Sequence, residues 1–171
     1  MAKHKDPLVA IVMGSESDLP VMTETARTLV SLEIPFEIEI TSAHRSPQRT
    51  SEYARTAVSR GLRVVIAGAG GAFHLAGVIA AHTTLPIIAV PMGSSALAGW
   101  DALLAAVQMP SGVPVGVMAV GQPGAVNAAI FAAQILATGD TALGERLAAL
   151  KEKMAQDVVN TSARMKSEFQ L

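Results

Sequence analysis

The chain has 171 residues, a formal net charge of −1, no cysteine, half of its residues hydrophobic and only 4% aromatic. That length suits one compact domain with a sizeable core, and the missing cysteines exclude disulfides, thiolate metal sites and a cysteine nucleophile. No basic stripe marks a nucleic-acid surface, no apolar run approaches the ~20 residues of a membrane span, and the polar start Met1 to Asp6, with His4, lacks a signal-peptide core, so a cytoplasmic chain is expected.

The elements follow in order. Leu8 to Met13 is a continuous apolar run, as in a strand buried on both faces. Gly14-Ser15-Glu16-Ser17-Asp18 turns it, with Asp18 a candidate N-cap for a helix to about Leu32 that Glu33-Ile34-Pro35 ends. Phe36 to Thr41 alternates apolar and polar, which predicts a strand near a sheet edge. After Ser42-Ala43-His44-Arg45, the pair Ser46-Pro47 opens a helix to about Arg60, stopped by Gly61. Arg63 to Ala67 is a third strand, Gly68-Ala69-Gly70-Gly71 its loop, and Phe73 to His82 a helix. Ile87 to Val90, Leu97 to Met109 and Val115 to Val120 read as strand, helix and strand. Gly124 to Thr138 is an Ala-rich helix that should be buried. A more charged helix from about Thr141 to Ser162 carries an apolar stripe through Leu143, Leu147, Leu150 and Met154, before a loose tail.

Five strand–helix alternations without repeats predict one doubly wound α/β domain, with its core over about 8–138. The surplus last helix, about 141–162, packs either on its own domain or over a neighbouring subunit. The quantity of apolar helix surface favours an oligomer.

In open α/β sheets ligands bind where strands end and strand order reverses. With order 2-1-3-4-5, the three unusual loops, Gly14 to Asp18, Ser42 to Arg45 and Gly68 to His74, converge on one cleft. Ser15, Ser17 and Asp18 at a helix start read either as an anion and ribose site or as a capping loop. His44 can pass protons near neutrality and Arg45 can grip a phosphate, between Ser42 and Ser46. The glycine loop is not a dinucleotide fingerprint, because Phe73 stands where the third glycine would fall and no acidic residue follows ~20 positions on. Its small residues still admit a flat ligand. His74 could donate to an anion or cap its helix. His82 reads as a residue at a helix C-terminus and Asp101 as a helix cap. No His/Asp/Glu cluster has metal-ligand spacing, and there is no Walker A motif.

Gly14-Ser15-x-Ser17-Asp18, Ser42-Ala43-His44-Arg45, Gly68-Ala69-Gly70-Gly71-Ala72 with His74-Leu75, and Val107-Gln108-Met109-Pro110-x-Gly112-x-Pro114-Val115 occur in that order. Over about Val9 to Ala137 the chain resembles the N5-carboxyaminoimidazole ribonucleotide mutase family of purine biosynthesis, PurE. The resemblance implies a flavodoxin-like three-layer α/β/α sandwich assembled as a homo-octamer, its last helix packed on neighbouring subunits. It implies an isomerase that needs no metal, ATP or biotin and moves a carboxyl group from the exocyclic nitrogen to ring carbon C4. By matching position, His44 would be the general acid/base. Ser15, Asp18 and Arg45 would bind the ribose phosphate, helped by Ser17 and Ser42. Ala69, Gly70, Gly71, His74 and Leu75 would line a dry pocket for the base and carbon dioxide. A hand-over of the labile substrate from the carbamate-forming synthetase would fit such a reaction. The chain departs from the family at Phe73, where Ala is usual, at Ala76, where Pro is usual, and at Ala102 in Asp101-Ala102-Leu103, where Ser is frequent.

Two other readings stay open on sequence. One is the related carboxylase that takes aminoimidazole ribonucleotide and free carbon dioxide. The other is a non-catalytic flavodoxin-like binding module; few aromatics argue against a flavin there, and few acidic residues near the first strand argue against a receiver domain.

Overall fold

A computed structural model describes residues 6–170. His4 and the rest of the polar start lie outside the described residues. Five parallel strands form one sheet in the order β2-β1-β3-β4-β5, with β1 Val9–Met13, β2 Phe36–Ile40, β3 Val64–Ala69, β4 Ile87–Pro91 and β5 Gly116–Val117. The helices are α1 Leu19–Ser31, α2 Pro47–Thr56, α3 Leu75–Ala80, α4 Trp100–Val107, α5 Gln122–Ala137 and α6 Thr141–Glu168. The expected doubly wound sandwich, its strand order and its additional last helix are all present.

Strand pleating divides the core in two. Val9, Ile11 and Met13 face one side with Val64 and Ile66, against Met22 and Leu29 of α1, the alanines of α5 and Leu143 of α6. Ala10, Val12, Val65 and Ala67 face the other, against Ala54, Leu62, Phe73, Ile79 and Ala102. Small side chains bring neighbouring helices of this layer close: Thr25 Oγ1 of α1 donates to Ala125 O of α5 at 3.0 Å, deep in the core. Five alanines and a glycine of α5 are buried, while Phe131 remains exposed, so the helix is buried on one broad side and not all round.

Several boundaries differ from the sequence expectation. Gly68 and Ala69 belong to β3, which runs two residues further than expected. The bare Cα of Gly68 permits this, because a Cβ there would lie 2.5 Å from Met22 Sδ and 2.6 Å from Met92 Cε. α2 stops at Thr56, not Arg60; the Arg60 guanidinium folds back to donate to Tyr53 O at 3.2 Å and to pair with Glu37 at 3.1 Å. α3 begins at Leu75, since tight turns from Gly71 (φ 58) first carry Phe73 into the core, and it ends at Ala80, leaving His82 in the following turn. α4 begins at Trp100 because Ala98 (φ 51) and Gly99 (φ 89) are left-handed. β5 is two residues long, shorter than the expected Val115 to Val120: beyond Val117 only isolated bonds such as Met118 N to Ala89 O and Gly121 N to Pro91 O, both 2.9 Å, continue the pairing. Beyond Ser162 the chain is helical to Glu168 and not loose, as its Ala, Arg, Met, Lys and Glu content permits.

The first turns of α6 dock on the core through Leu143, Leu147 and Leu150, and Asp140 caps the helix by accepting from Leu143 N at 3.0 Å. From residue 151 onward every described residue is exposed.

Register sets the site. Met13 pairs with Ile40 on one side and Gly68 on the other, and Ala69 pairs with Pro91, so four strand ends lie in a row.

Two glycines give a paired test of this packing. A Cβ at Gly124 would fall 1.7 Å from Ala119 O, whereas Gly144 in α6 has open space. Gly124→Ala should lower unfolding free energy by about 3 kcal/mol, and Gly144→Ala should raise it by about 0.5–1 kcal/mol. Urea titration measures both.

Candidate active site

The row of strand ends opens into a cavity of about 500 Å³. The β1 loop supplies one wall. Ser15 Oγ accepts from Ser17 N at 3.3 Å while Asp18 Oδ2 accepts from Ser15 N at 3.1 Å, a reciprocal capping box around one 3₁₀ turn. Asp18 therefore caps that turn; although it stands at the start of α1, its carboxylate makes no cap bond to α1, contrary to the expected role. It is 95% removed from solvent, with a relative exposure of 5%. Burial raises its carboxyl above the ordinary range, opposed by the Ser15 backbone bond, the charge of Arg45 and the Gly14 backbone bond.

The β2 loop is stapled by its serines. Ser46 Oγ donates to Ser42 O at 3.1 Å and accepts from Ser42 N at 3.0 Å. Thr41 and Thr50 share a buried hydroxyl bond of 2.8 Å beneath it. Ser46 therefore holds the loop and does not cap α2 with its side chain. Arg45 is tied to both loops: Nη2 donates to Gly14 O at 3.0 Å and Nε to Ser42 Oγ at 3.5 Å. Its guanidinium has five donors, so the remaining ones are available to an anion. On the far side of Arg45 a second concavity of about 440 Å³ includes Arg49, which is paired with Glu39.

The β3 loop brings His74 to His44. His44 Nε2 and His74 Nδ1 are 2.7 Å apart, with the rings edge-on at 4.9 Å between centroids. One nitrogen must carry the proton and the other accept it, so the tautomers of the two rings are linked. His74 stands at the start of α3 without capping it. The residues are 30 apart in sequence, and pattern reading gave no signal for their pairing.

Of the residues expected to form the site, Ser15, Ser17, Asp18, Ser42, His44, Arg45, Ala69, Gly70, His74 and Leu75 all line this cavity. Gly71 does not; its left-handed φ of 58 shapes the turn behind it. Gly14, Ala43 and Ala72, from the three loops expected to form the cleft, also line it, as does Ser94, which sequence analysis missed. Among the described residues, no three His, Cys, Asp or Glu side chains are grouped to hold a metal ion, and no helix is long and apolar enough to cross a membrane.

The family model for AIR carboxylase matches residues 8–157. The chain belongs to this family. A Bacillus subtilis relative named N5-carboxyaminoimidazole ribonucleotide mutase is 51% identical over 156 residues, covering 91% of this chain and 96% of the relative. A Dictyostelium discoideum bifunctional purine synthesis protein, purC/E, is 58% identical over 131 residues, 77% of this chain but only 13% of that protein. A crystal structure of Treponema denticola PurE superposes with a TM-score of 0.83 at 28% identity, covering 94% of this chain and 99% of that one.

The departure at Phe73 leaves the cleft clear. Phe73 is 1% exposed and packs with Ala54, Ala57 and Leu62 beneath the sheet, so the ring does not line the cavity. Ala76 is fully buried in the same cluster.

Asp18 gives a pH test. Its raised value means the folded state holds the proton more tightly than the unfolded chain. The stability it contributes is complete below the ordinary carboxylate value of 3.8 and is lost as pH rises through the folded value. Asp18→Asn keeps an acceptor for Ser15 N and removes the buried charge. Relative to wild type, the variant should gain stability in urea at neutral pH and lose that advantage below about pH 4.

Proposed function

We propose that the chain is an isomerase of purine biosynthesis that converts N5-carboxyaminoimidazole ribonucleotide into 4-carboxy-5-aminoimidazole ribonucleotide. The observation that carries this reading is end-to-end identity near one half with relatives named for that reaction. A cleft with one arginine, a ring of serine hydroxyls and a buried carboxyl matches a ribose phosphate. Arg45, Ser15 and Ser17 take the phosphate, and Asp18 takes a ribose hydroxyl. The flat base lies against Ala69, Gly70 and Leu75, where small side chains leave room.

The chemistry needs one base used twice. The bond from the exocyclic nitrogen to the carboxyl carbon breaks, its electron pair stays on nitrogen, and nitrogen takes a proton from His44. Carbon dioxide stays in the pocket. Ring carbon C4 attacks it, and the C4 proton returns to His44, so protons balance over the cycle. The 2.7 Å contact with His74 orients the His44 ring. No cofactor enters this scheme.

Water exclusion requires more than one chain. His44 and His74 are exposed on the single chain, yet escaping carbon dioxide would be lost as bicarbonate. Apolar side chains stand open on α4, at Trp100, Leu104 and Val107, and on α6, at Met154, Val158, Val159 and Met165. Such surface supports assembly, and we infer a homo-octamer in which neighbouring subunits cover the cleft. A cytoplasmic setting follows from the pathway, as does receipt of the labile substrate from the carbamate-forming synthetase.

The family's own description favours one second reading, direct carboxylation of aminoimidazole ribonucleotide. Supplying the carbamate nucleotide without bicarbonate separates the two. Fast appearance of the C4 carboxylate supports the mutase; activity only with aminoimidazole ribonucleotide and high carbon dioxide supports the carboxylase, and no turnover of either leaves a binding module. His44→Asn should lower turnover by ~10²–10⁴-fold while nucleotide binding survives; substantial residual activity would remove His44 from the acid/base role. Light scattering should return eight times the single-chain mass, and Val158→Asp should reduce it.

A further inference from the structure

Ser94 lies on the loop between β4 and α4, outside every motif that the sequence singled out. Its hydroxyl leans over the end of β3. A Cβ built on Gly70 would lie 2.8 Å from Ser94 Oγ, so the glycine leaves the space that this hydroxyl occupies. Among the described residues no side chain or backbone group claims the Ser94 hydroxyl.

The neighbouring residues hold the loop. Ser95 Oγ donates to Asp101 Oδ1 at 2.8 Å and accepts from Leu97 N at 3.3 Å. Ala98 N donates to Ser95 O at 3.0 Å, and the left-handed Ala98 and Gly99 then turn the chain into α4. Asp101, which sequence reading offered as a helix cap, is the clasp of this loop. Ser95 is thus used within the loop and Ser94 is left for the cavity.

Position along the sheet separates the ends of the cleft. Arg45 stands over β2 and β1, and Ser94 over β3 and β4. Among the described residues Arg45 is the one lysine or arginine lining the cavity, so the phosphate goes to its end and the base extends toward Ser94. A migrating carboxyl group needs a donor that holds it without trapping it. A cation would favour the bound carboxylate over neutral carbon dioxide and oppose cleavage. A hydroxyl donates to either form.

We propose that Ser94 donates its hydroxyl hydrogen to an oxygen of the migrating carboxyl group and holds the carbon dioxide between its two attachment points. This rests on the mutase reading above. The test compares wild type, Ser94→Ala and Ser94→Thr with the carbamate nucleotide, following C4 carboxylate and aminoimidazole ribonucleotide together, corrected for enzyme-free decay. In Ser94→Ala kcat should fall ~10-fold, KM should stay within about twofold, and a larger share of turnovers should end as free aminoimidazole ribonucleotide. Ser94→Thr should restore the partition. A fall in kcat with an unchanged partition, or Ser94→Ala kinetics equal to wild type, would overturn the assignment. Failure of wild type itself to turn over the carbamate nucleotide would instead overturn the mutase reading.

Discussion

The organisation of this molecule follows from one constraint: β1, β3 and β4 are buried on both faces. A buried strand has no place for an unpaired polar side chain, since stripping such a group of water costs several kcal/mol. Polar chemistry is therefore pushed to the strand ends. Parallel pairing brings those ends to one edge, and the in-register alignment of Met13, Ile40 and Gly68 makes that edge a cleft. Small side chains let α1 and α5 press against the sheet and against each other.

Within the cleft, order comes from hydrogen bonds that the loops make to themselves. The Ser42–Ser46 exchange and the Ser15–Asp18 capping box fix two loops before any ligand arrives. Arg45 joins them through Gly14 O. A ligand thus meets donors already in position and spends little on ordering them. The His44–His74 contact adds a coupled proton position, which neither ring would have alone.

Charge is distributed with equal economy. Burial holds the Asp18 carboxyl toward its neutral form, while Arg45 stands close enough to oppose that shift. Among the described residues the cation lining the cleft, Arg45, stands over β1 and β2 with the serines of those loops, while His74 and Ser94 stand over β3 and β4. Such a gradient suits a substrate with a permanent anion at one end and a carboxyl group that must become neutral at the other.

The sequence by itself determined the order of elements, the parallel sheet, and the three loops that form the cleft, because continuous apolar runs, proline and glycine stops and serine-rich turns are local signals. It also carried the family, through four motifs that occur in order along the chain. Only the tertiary structure decided the rest. The pairing of His44 with His74, the placement of Ser94 over Gly70 and the inward turn of Phe73 depend on contacts between segments distant in sequence, which no local pattern records. Boundaries moved for the same reason: β3 lengthened where Met22 and Met92 close over Gly68, α2 ended where Arg60 reached Glu37, and β5 kept only the two residues that pair with Ile88 and Ala89.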